Sequence, residues 1–368
     1  MPLAPDSAIA FLSNLDKHRN VKLPMRVSDD LCVETGIDLG DGTRVLYRPG
    51  RRHSCYIYSI SQRYPDEWFG SHFVIFPLLF RLYGMQPKQR KSSKHRNGIC
   101  VYLNSRGILL FKQRILELPV GQCSRVVRVP RFVEEEGEKA ISRFIEGYQY
   151  ADGSFVAGES PCIRITTSSP SLFLKLAQTA ELFNVPHSKS RDHPKVGFSL
   201  RISAEGDMRE WIRHVPLLNP VQITKFLVWD RFSECPPRLF FSQYVGLLSG
   251  RIELRRFSRR LPTEAVRSDL FQDSVDLVTR FVLAGRSLAL AEIAKETVAR
   301  TVRGAGSSIG RLVKEGFARL ELRDGKMFAS LTPAGEESVS ELRDVWQALH
   351  HFNTGLSSLK SYELATAR

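Results

Sequence analysis

Two aspartates in matching surroundings are the residues of this chain best suited to chemistry. Asp41 closes the stretch Val33-Glu34-Thr35-Gly36-Ile37-Asp38-Leu39-Gly40-Asp41-Gly42. Asp152 closes Phe144-Ile145-Glu146-Gly147-Tyr148-Gln149-Tyr150-Ala151-Asp152-Gly153-Ser154. Each stretch sets a small residue, three others, a second small residue, then Asp-Gly. The small pairs are Gly36 with Gly40 and Gly147 with Ala151. Positions four apart share a helix face, and small residues there let two helix backbones approach closely. Each Asp then stands where its helix ends, and the Gly after it is expected in the left-handed conformation. With the two helices side by side, the carboxylates meet at one end. Two close carboxylates repel unless a cation lies between them, and hard oxygen donors of this kind suit Mg²⁺. Asp41 and Asp152 are therefore candidate ligands of Mg²⁺ or another divalent cation. Either stretch alone is equally a glycine-rich helix end; the pairing argues for a site.

The elements that would carry these aspartates recur in one order. In the first half, a loop over Val21–Arg26 leads to the first motif helix. Strands over Thr43–Arg48 and Ser54–Gln62 follow, joined around Pro49-Gly50. An amphipathic helix spans 65–83, with Pro77 expected to kink it and Gly84 to stop it. The basic run Gln86–Arg96 and the strand Ile99–Leu103 form a second hairpin, and a helix spans Ser105–Leu116. In the second half, the motif helix 139–151 leads to a strand pair around Ala157-Gly158 that ends in Pro161–Thr167. A helix over 170–184 starts at Ser169-Pro170. The basic hairpin His187–Ile202 and a helix over Asp207–His214 complete it. The matching order argues for a duplication.

The charge balance, Lys+Arg 53 against Asp+Glu 39 for a net +14, favours a polyanionic partner, nucleic acid before membrane. No apolar run is long enough to span a bilayer. The amino-terminal residues lack the pattern of a signal peptide. Cys32, Cys55, Cys100, Cys123, Cys162 and Cys235 are scattered without a CxxC pair, which argues against structural zinc and a disulfide framework and fits a reducing, cytoplasmic setting. In each half the cations fall on hairpins: Arg44, Arg48, Arg51 and Arg52, then Lys88, Arg90, Lys91, Lys94 and Arg96, and in the second half Arg164, Lys189, Arg191 and Lys195. Two-stranded ribbons fit the DNA major groove, where such side chains read base edges.

These residues resemble a known family. Over roughly 24–220, the segments ETGIDLGDG, IYSISQR, LYGMQPK, VYLNSRGIL, FIEGYQYADGS, IRITTSSPSLF and FSLRIS…WIRHVPLLNP are similar to a single-chain, two-repeat LAGLIDADG homing endonuclease of the archaeal kind. The resemblance implies an α+β fold: tandem pseudo-two-fold αββαββα repeats forming a DNA-binding β saddle. It implies that Asp41 and Asp152 hold the metal, with backbone carbonyls of Gly40 and Ala151 beside them, and that phosphodiester hydrolysis breaks both strands. The family's water-polarising cation at the end of the second strand corresponds to Gln62-Arg63 in the first repeat and to Thr167-Ser168, without a cation, in the second. Adjacent His-Asn, the mark of an intein end, is absent from His351-Phe352-Asn353, so a free-standing, intron-homing type of protein is expected.

Beyond residue 220 the chain is expected to run through a basic connector at 221–262 with Arg251, Arg255, Arg256, Arg259 and Arg260. A short helix over Leu288–Ala294 and a second over Arg303–Lys314 follow. The strands Phe317–Leu322 and Met327–Leu331 flank Asp324-Gly325. The pattern LVKEGFARL…LTPAGEE resembles a winged helix-turn-helix, which implies a second helix set in a major groove with Arg303, Ser307, Ser308 and Arg311 near bases or phosphates, and Arg323 and Lys326 on the wing. The expected domains are an extension at 1–23, repeats at 24–133 and 134–220, the connector, a winged helix at 263–350 and a tail at 351–368. The expected function is a monomeric, metal-dependent, site-specific endonuclease of double-stranded DNA. A non-cleaving transcription regulator on the same fold is the main alternative, and an RNA-splicing cofactor a third.

Overall fold

Each half of the chain begins with its motif helix and passes directly from it into a strand. The computed structural model describes residues 3, 10–45, 56–92, 97–120, 124–158, 160–193, 197–257, 263–298 and 301–354. The first half runs α1 (Asp29–Asp41), β1 (Gly42–Val45), β2 (Ile57–Arg63), α2 (Asp66–Gly70), α3 (Phe76–Tyr83), β3 (Lys88–Lys91), β4 (Gly98–Asn104) and α4 (Arg106–Arg114). The second runs α5 (Glu138–Asp152), β5 (Gly153–Val156), β6 (Cys162–Thr167), α6 (Pro170–Leu182), β7 (Ser188–His193), β8 (Gly197–Ile202) and α7 (Glu205–His214). The sheet orders match, β1-β2-β4-β3 and β5-β6-β8-β7. The duplication expected from element order is thus present in the topology.

Register fixes which side chains face the helices. Gly42 pairs with Ile60 and Gly153 with Ile165, so Gln62 corresponds to Thr167 and Arg63 to Ser168. Because side chains alternate along a strand, Tyr58, Ile60, Val101 and Leu103 face the core, all buried. Ser61 and Arg63 on β2, and the β4 positions paired with them, Cys100 and Gly98, lie on the outer face. In β1 the same alternation turns Arg44 inward, opposite Tyr58.

Three local expectations are corrected. Gly42 and Gly153 have φ −80° and −95°, extended rather than left-handed, because each motif helix runs straight into a strand. Glycine is still required there: a Cβ on Gly42 would lie 2.0 Å from Asp38 Oδ1. The helix expected over 65–83 is interrupted by a π-helical turn, Ser71–Ile75, and Pro77 sits in the first turn of α3, where its missing N–H costs nothing. Gly84 does stop it, at φ 64°. The turn Pro49-Gly50 and the strand ends beside it lie outside the described residues.

The stretch expected as a connector is largely helical: α8 (Pro220–Phe232) and α9 (Phe241–Leu248). Ile223, Phe226, Leu227 and Tyr244 join the core formed by both halves. The start of α8 also holds the end of α5, where the Gln149 carbonyl already accepts the Gly153 N–H. Gln222 Nε2 donates to the carbonyls of Gln149 at 3.2 Å and Gly153 at 2.8 Å, and Asn219 Nδ2 to that of Tyr150 at 3.4 Å.

After it come α10 (Glu264–Leu283), a helix not expected from the sequence, β9 (Ser287–Ala289), α11 (Leu290–Glu296), α12 (Val302–Lys314), β10 (Ala318–Arg323), β11 (Lys326–Leu331) and α13 (Pro333–Thr354). The strands form a sheet in the order β10-β11-β9. Asp324 and Gly325 turn its hairpin, with φ 48° and 71°, the positive pair of a tight primed turn. The tail from 355 lies outside the described residues.

Candidate metal and nucleic-acid site

The small residues of the two motifs place α1 against α5 with backbones touching. A Cβ on Gly36 would lie 2.1 Å from the Phe144 carbonyl oxygen, and one on Gly147 would lie 1.9 Å from that of Val33. One turn further on, Ala151 covers Gly40: a Gly40 Cβ would meet Ala151 Cβ at 2.4 Å and Asp152 Oδ2 at 3.5 Å. The same crossing that packs the helices therefore brings Asp41 and Asp152 to one end.

Asp41 opens into a cleft of about 440 Å³ lined by Asp41, Ser61, Gln62, Arg63, Glu67, Asn97, Gly98 and Ala151. Gln62 Nε2 reaches Asp41 Oδ2 at 3.4 Å, and Gln62 Oε1 accepts a hydrogen bond from the Tyr150 hydroxyl at 2.8 Å. The Asp41 carboxyl is pushed well above the usual carboxylate range, first by burial, then by the charges of Glu67 and Asp152, with Arg63 opposing. Burial also raises Asp152, against a hydrogen bond from Tyr148. Glu67 is raised by burial and held back by the Arg63 backbone N–H it accepts. Two neighbouring carboxylates whose charge is disfavoured by burial, and in Asp41 also by Glu67 and Asp152, have the character of a cation site. Among the described residues no set of three His, Cys, Asp or Glu forms a metal-holding group. The donors fit a cation that keeps part of its water and takes carbonyl or phosphate oxygens as well, as Mg²⁺ does.

The second repeat furnishes its half differently. At the positions of Gln62, Arg63 and Glu67 it carries Thr167, Ser168 and Leu172, following the register of β2 and β6. Leu172 is fully buried. The polar equipment is concentrated beside Asp41.

The cations divide by the face they occupy. Lys88 and Arg90 share the outer face of the first sheet, where the Arg90 guanidinium lies 5.0 Å over the Tyr102 ring. Lys91 has the opposite parity. On the second sheet Arg164 pairs directly with Arg201 on the outer face, both exposed. Like charges opposite one another destabilise a sheet, so this pair suits an anion such as a phosphate. Arg44 does not belong to such a surface: it is 3 % exposed, pairs with Asp38 and donates Nε to the Pro119 carbonyl at 2.8 Å. Lys189 bonds Glu181 of α6 at 3.0 Å, and Arg191 lies in β7. Arg48, Arg51, Arg52, Lys94, Arg96 and Lys195 lie outside the described residues. On α12, Arg303 and Ser307 are exposed. Arg311 is paired with Asp276 at 2.8 Å, and Ser308 is buried against Asp276 and Thr279, so Ser308 is not placed to touch bases.

Sequence reading missed Glu67, Asn97 and Arg201. Arg201 was recoverable, since alternation in β8 sets it across from Arg164. Glu67 and Asn97 carried no local signal; only the fold brings them to Asp41.

No family model and no curated protein matches the chain. Solved structures do. The homing endonuclease I-DmoI in mesophilic variants is 16% identical, covering 51% of this chain and 94% of that one, with a TM-score of 0.36. I-DmoI in complex with DNA and Mn is 16% identical, covering 51% of this chain and 96% of that one, with a TM-score of 0.38. The meganuclease I-SmaMI bound to uncleaveable DNA is 13% identical, covering 54% of this chain and 88% of that one, with a TM-score of 0.37. Among the described residues no helix is long and apolar enough to cross a membrane.

Proposed function

We propose that this chain is a site-specific endonuclease of double-stranded DNA of the LAGLIDADG homing type, acting as a monomer in the cytosol, with a winged helix-turn-helix built from α10–α12, β9–β11 and α13. The observation that carries the proposal is the crossing of the two motif helices. It presses Gly36 and Gly147 onto the partner backbones and delivers Asp41 and Asp152 to one end, beneath two sheets of matching order.

Asp41 and Asp152 would hold the divalent cation, with Gly40 and Ala151 offering carbonyls. When bound, such a cation supplies the charge that acidifies an attacking water and offsets charge on the departing oxygen. The chain's own residues do the rest. Arg63, exposed at the end of β2, is placed to hold a phosphate oxygen, but a guanidinium cannot readily give up a proton. Gln62, fixed by Tyr150, orients what lies against Asp41. Lys88, Arg90, Arg164 and Arg201 meet the duplex on the outer faces. Hydrolysis forms a bond from water oxygen to phosphorus and breaks one bridging P–O bond, whose oxygen takes up a proton.

A second reading, a DNA-binding regulator that does not cut, is favoured by one observation: Thr167, Ser168 and Leu172 stand where the first repeat has Gln62, Arg63 and Glu67. Mg²⁺-dependent cutting of a randomised duplex library separates the two. The expected result is discrete double-strand breaks that the Asp41→Asn, Asp152→Asn double variant loses. The loss should be on the order of 10³-fold or more, since metal stabilisation of a transition state amounts to several kcal/mol. DNA affinity in chelator should stay level or rise as repulsion of phosphate is removed. Selective retention of sequences without breaks supports the regulator, and loss of chelator-phase binding in the double variant refutes the metal-site assignment.

A further inference from the structure

Of the two repeats, the first shares an apolar core with the carboxy-terminal unit, to which Phe241 and Val245 of α9 also belong. Trp68 and Phe69 of α2 and Ile99 of β4 are part of its core, together with Leu277, Val278 and Val282 of α10. Trp68 and Phe69 stand 5.7 Å and 6.2 Å from the Phe281 ring. Trp68 Nε1 donates to the Glu296 carbonyl at 3.3 Å, and Asp66 accepts from the Phe241 backbone at 3.0 Å. Among the described residues, the second repeat contributes nothing to this core. Phe69 is fully buried, while Leu174, its counterpart by register, is 60% exposed. Apolar packing of this extent holds the unit in one place rather than on a tether.

Its position adjoins the candidate catalytic cleft. Asn97 and Gly98 line that cleft and also a second one, of about 330 Å³, whose far wall is Gly304, Ser307 and Arg311 of α12. Lys91 and Ile99 line this second cleft too, so α12 stands beside the β3–β4 end of the first sheet. Between 303 and 326 the unit carries Arg303, Arg311, Lys314, Arg319, Arg323 and Lys326 against Glu315, Glu321 and Asp324. Arg303 and Lys314 are exposed, and a Cβ on Gly306 or Gly310 would meet nothing within 4 Å, so this side of the helix is bare. A bare cationic helix beside the β3–β4 end of a cationic sheet fits the phosphates of one duplex.

We infer that the carboxy-terminal unit is a fixed, one-sided extension of the DNA track: it contacts the duplex beyond the half-site held by the first repeat and leaves the other flank uncovered. This rests on the proposal that the outer sheet faces bind DNA. Hydroxyl-radical footprinting without Mg²⁺, on a duplex selected for binding to the full chain, tests it. The expected footprint is lopsided about the cleavage centre. Arg303→Ala with Lys314→Ala should erase the longer flank and lower the salt slope by roughly 0.9 per lost phosphate contact. Arg164→Ala with Arg201→Ala should erase protection on the shorter side. A footprint symmetric about the centre, or a long flank unmoved by the Arg303 and Lys314 changes, overturns the one-sided extension while DNA binding stands. Loss of the long flank in the Arg164, Arg201 variant also overturns it. Absence of protection on any duplex overturns both readings.

Discussion

Gly147→Ala will lower stability by more than about 3 kcal/mol and part the two central helices. Overpacking is tolerated where a flexible side chain can move aside. Here the added methyl would lie 1.9 Å from the Val33 carbonyl oxygen and 2.7 Å from its carbon, both backbone atoms of a fully packed helix. Relief requires α1 and α5 to separate by an ångström or more. The same motion separates Asp41 from Asp152, and a misplacement of that size can reduce a positioned reaction by on the order of 10²-fold. Thermal unfolding and cleavage should therefore fail together. Ala151→Gly is the control: it removes a methyl from the same interface and should cost only about 1 kcal/mol, the helix penalty of glycine. A Gly147→Ala protein with wild-type melting would show that the helices are not in backbone contact.

Lys112→Met should cost about 3–5 kcal/mol, because it leaves buried carboxylates without their cation. Lys112 is fully buried, with Nζ 2.6 and 2.7 Å from the Glu34 carboxylate, 3.0 Å from Asp38, and 4.1 Å over the Tyr58 ring. Asp38 keeps Arg44 as a second partner, whereas Glu34 is left with tyrosine hydroxyls such as that of Tyr83 at 3.3 Å and no cation among the described residues. Glu34→Leu made together with Lys112→Met should therefore recover most of the loss, since apolar replacement of a complete buried ion pair is often nearly neutral. Urea midpoints of the two single variants and the double variant give the coupling. Additive losses would show that the charges do not depend on one another.

The second repeat shows why this network could not be read from composition. Register sets Trp211 where the first repeat has Lys112, and Gln149 where it has Asp38. Trp211 Nε1 donates to Gln149 Oε1 at 2.7 Å, the same contact made without charge. A lysine in an amphipathic helix such as α4 ordinarily faces water, and nothing local marks this one as interior.

What the sequence determined by itself was periodic or conformational. The Gly36, Gly40, Gly147 and Ala151 spacing set a helix face, the Asp-Gly pairs set the helix ends, and strand and basic-hairpin patterns set the order of elements twice over. These depend on residues close in the chain, so they survive without knowledge of neighbours. The tertiary structure decided what depends on distance and on parity. Alternation from Gly42 turned Arg44 inward and left Lys88 and Arg90 outward, a choice a one-residue slip in register would reverse. Glu67 comes to Asp41 because β1 pairs with β2, and Asn97 because β2 pairs with β4. The segment expected as a connector became structure because Gln222 and Asn219 hold the end of α5 and its apolar residues complete the core. Local chemistry fixes periodicity, whereas burial and charge pairing are properties of groups that only the folded chain brings together.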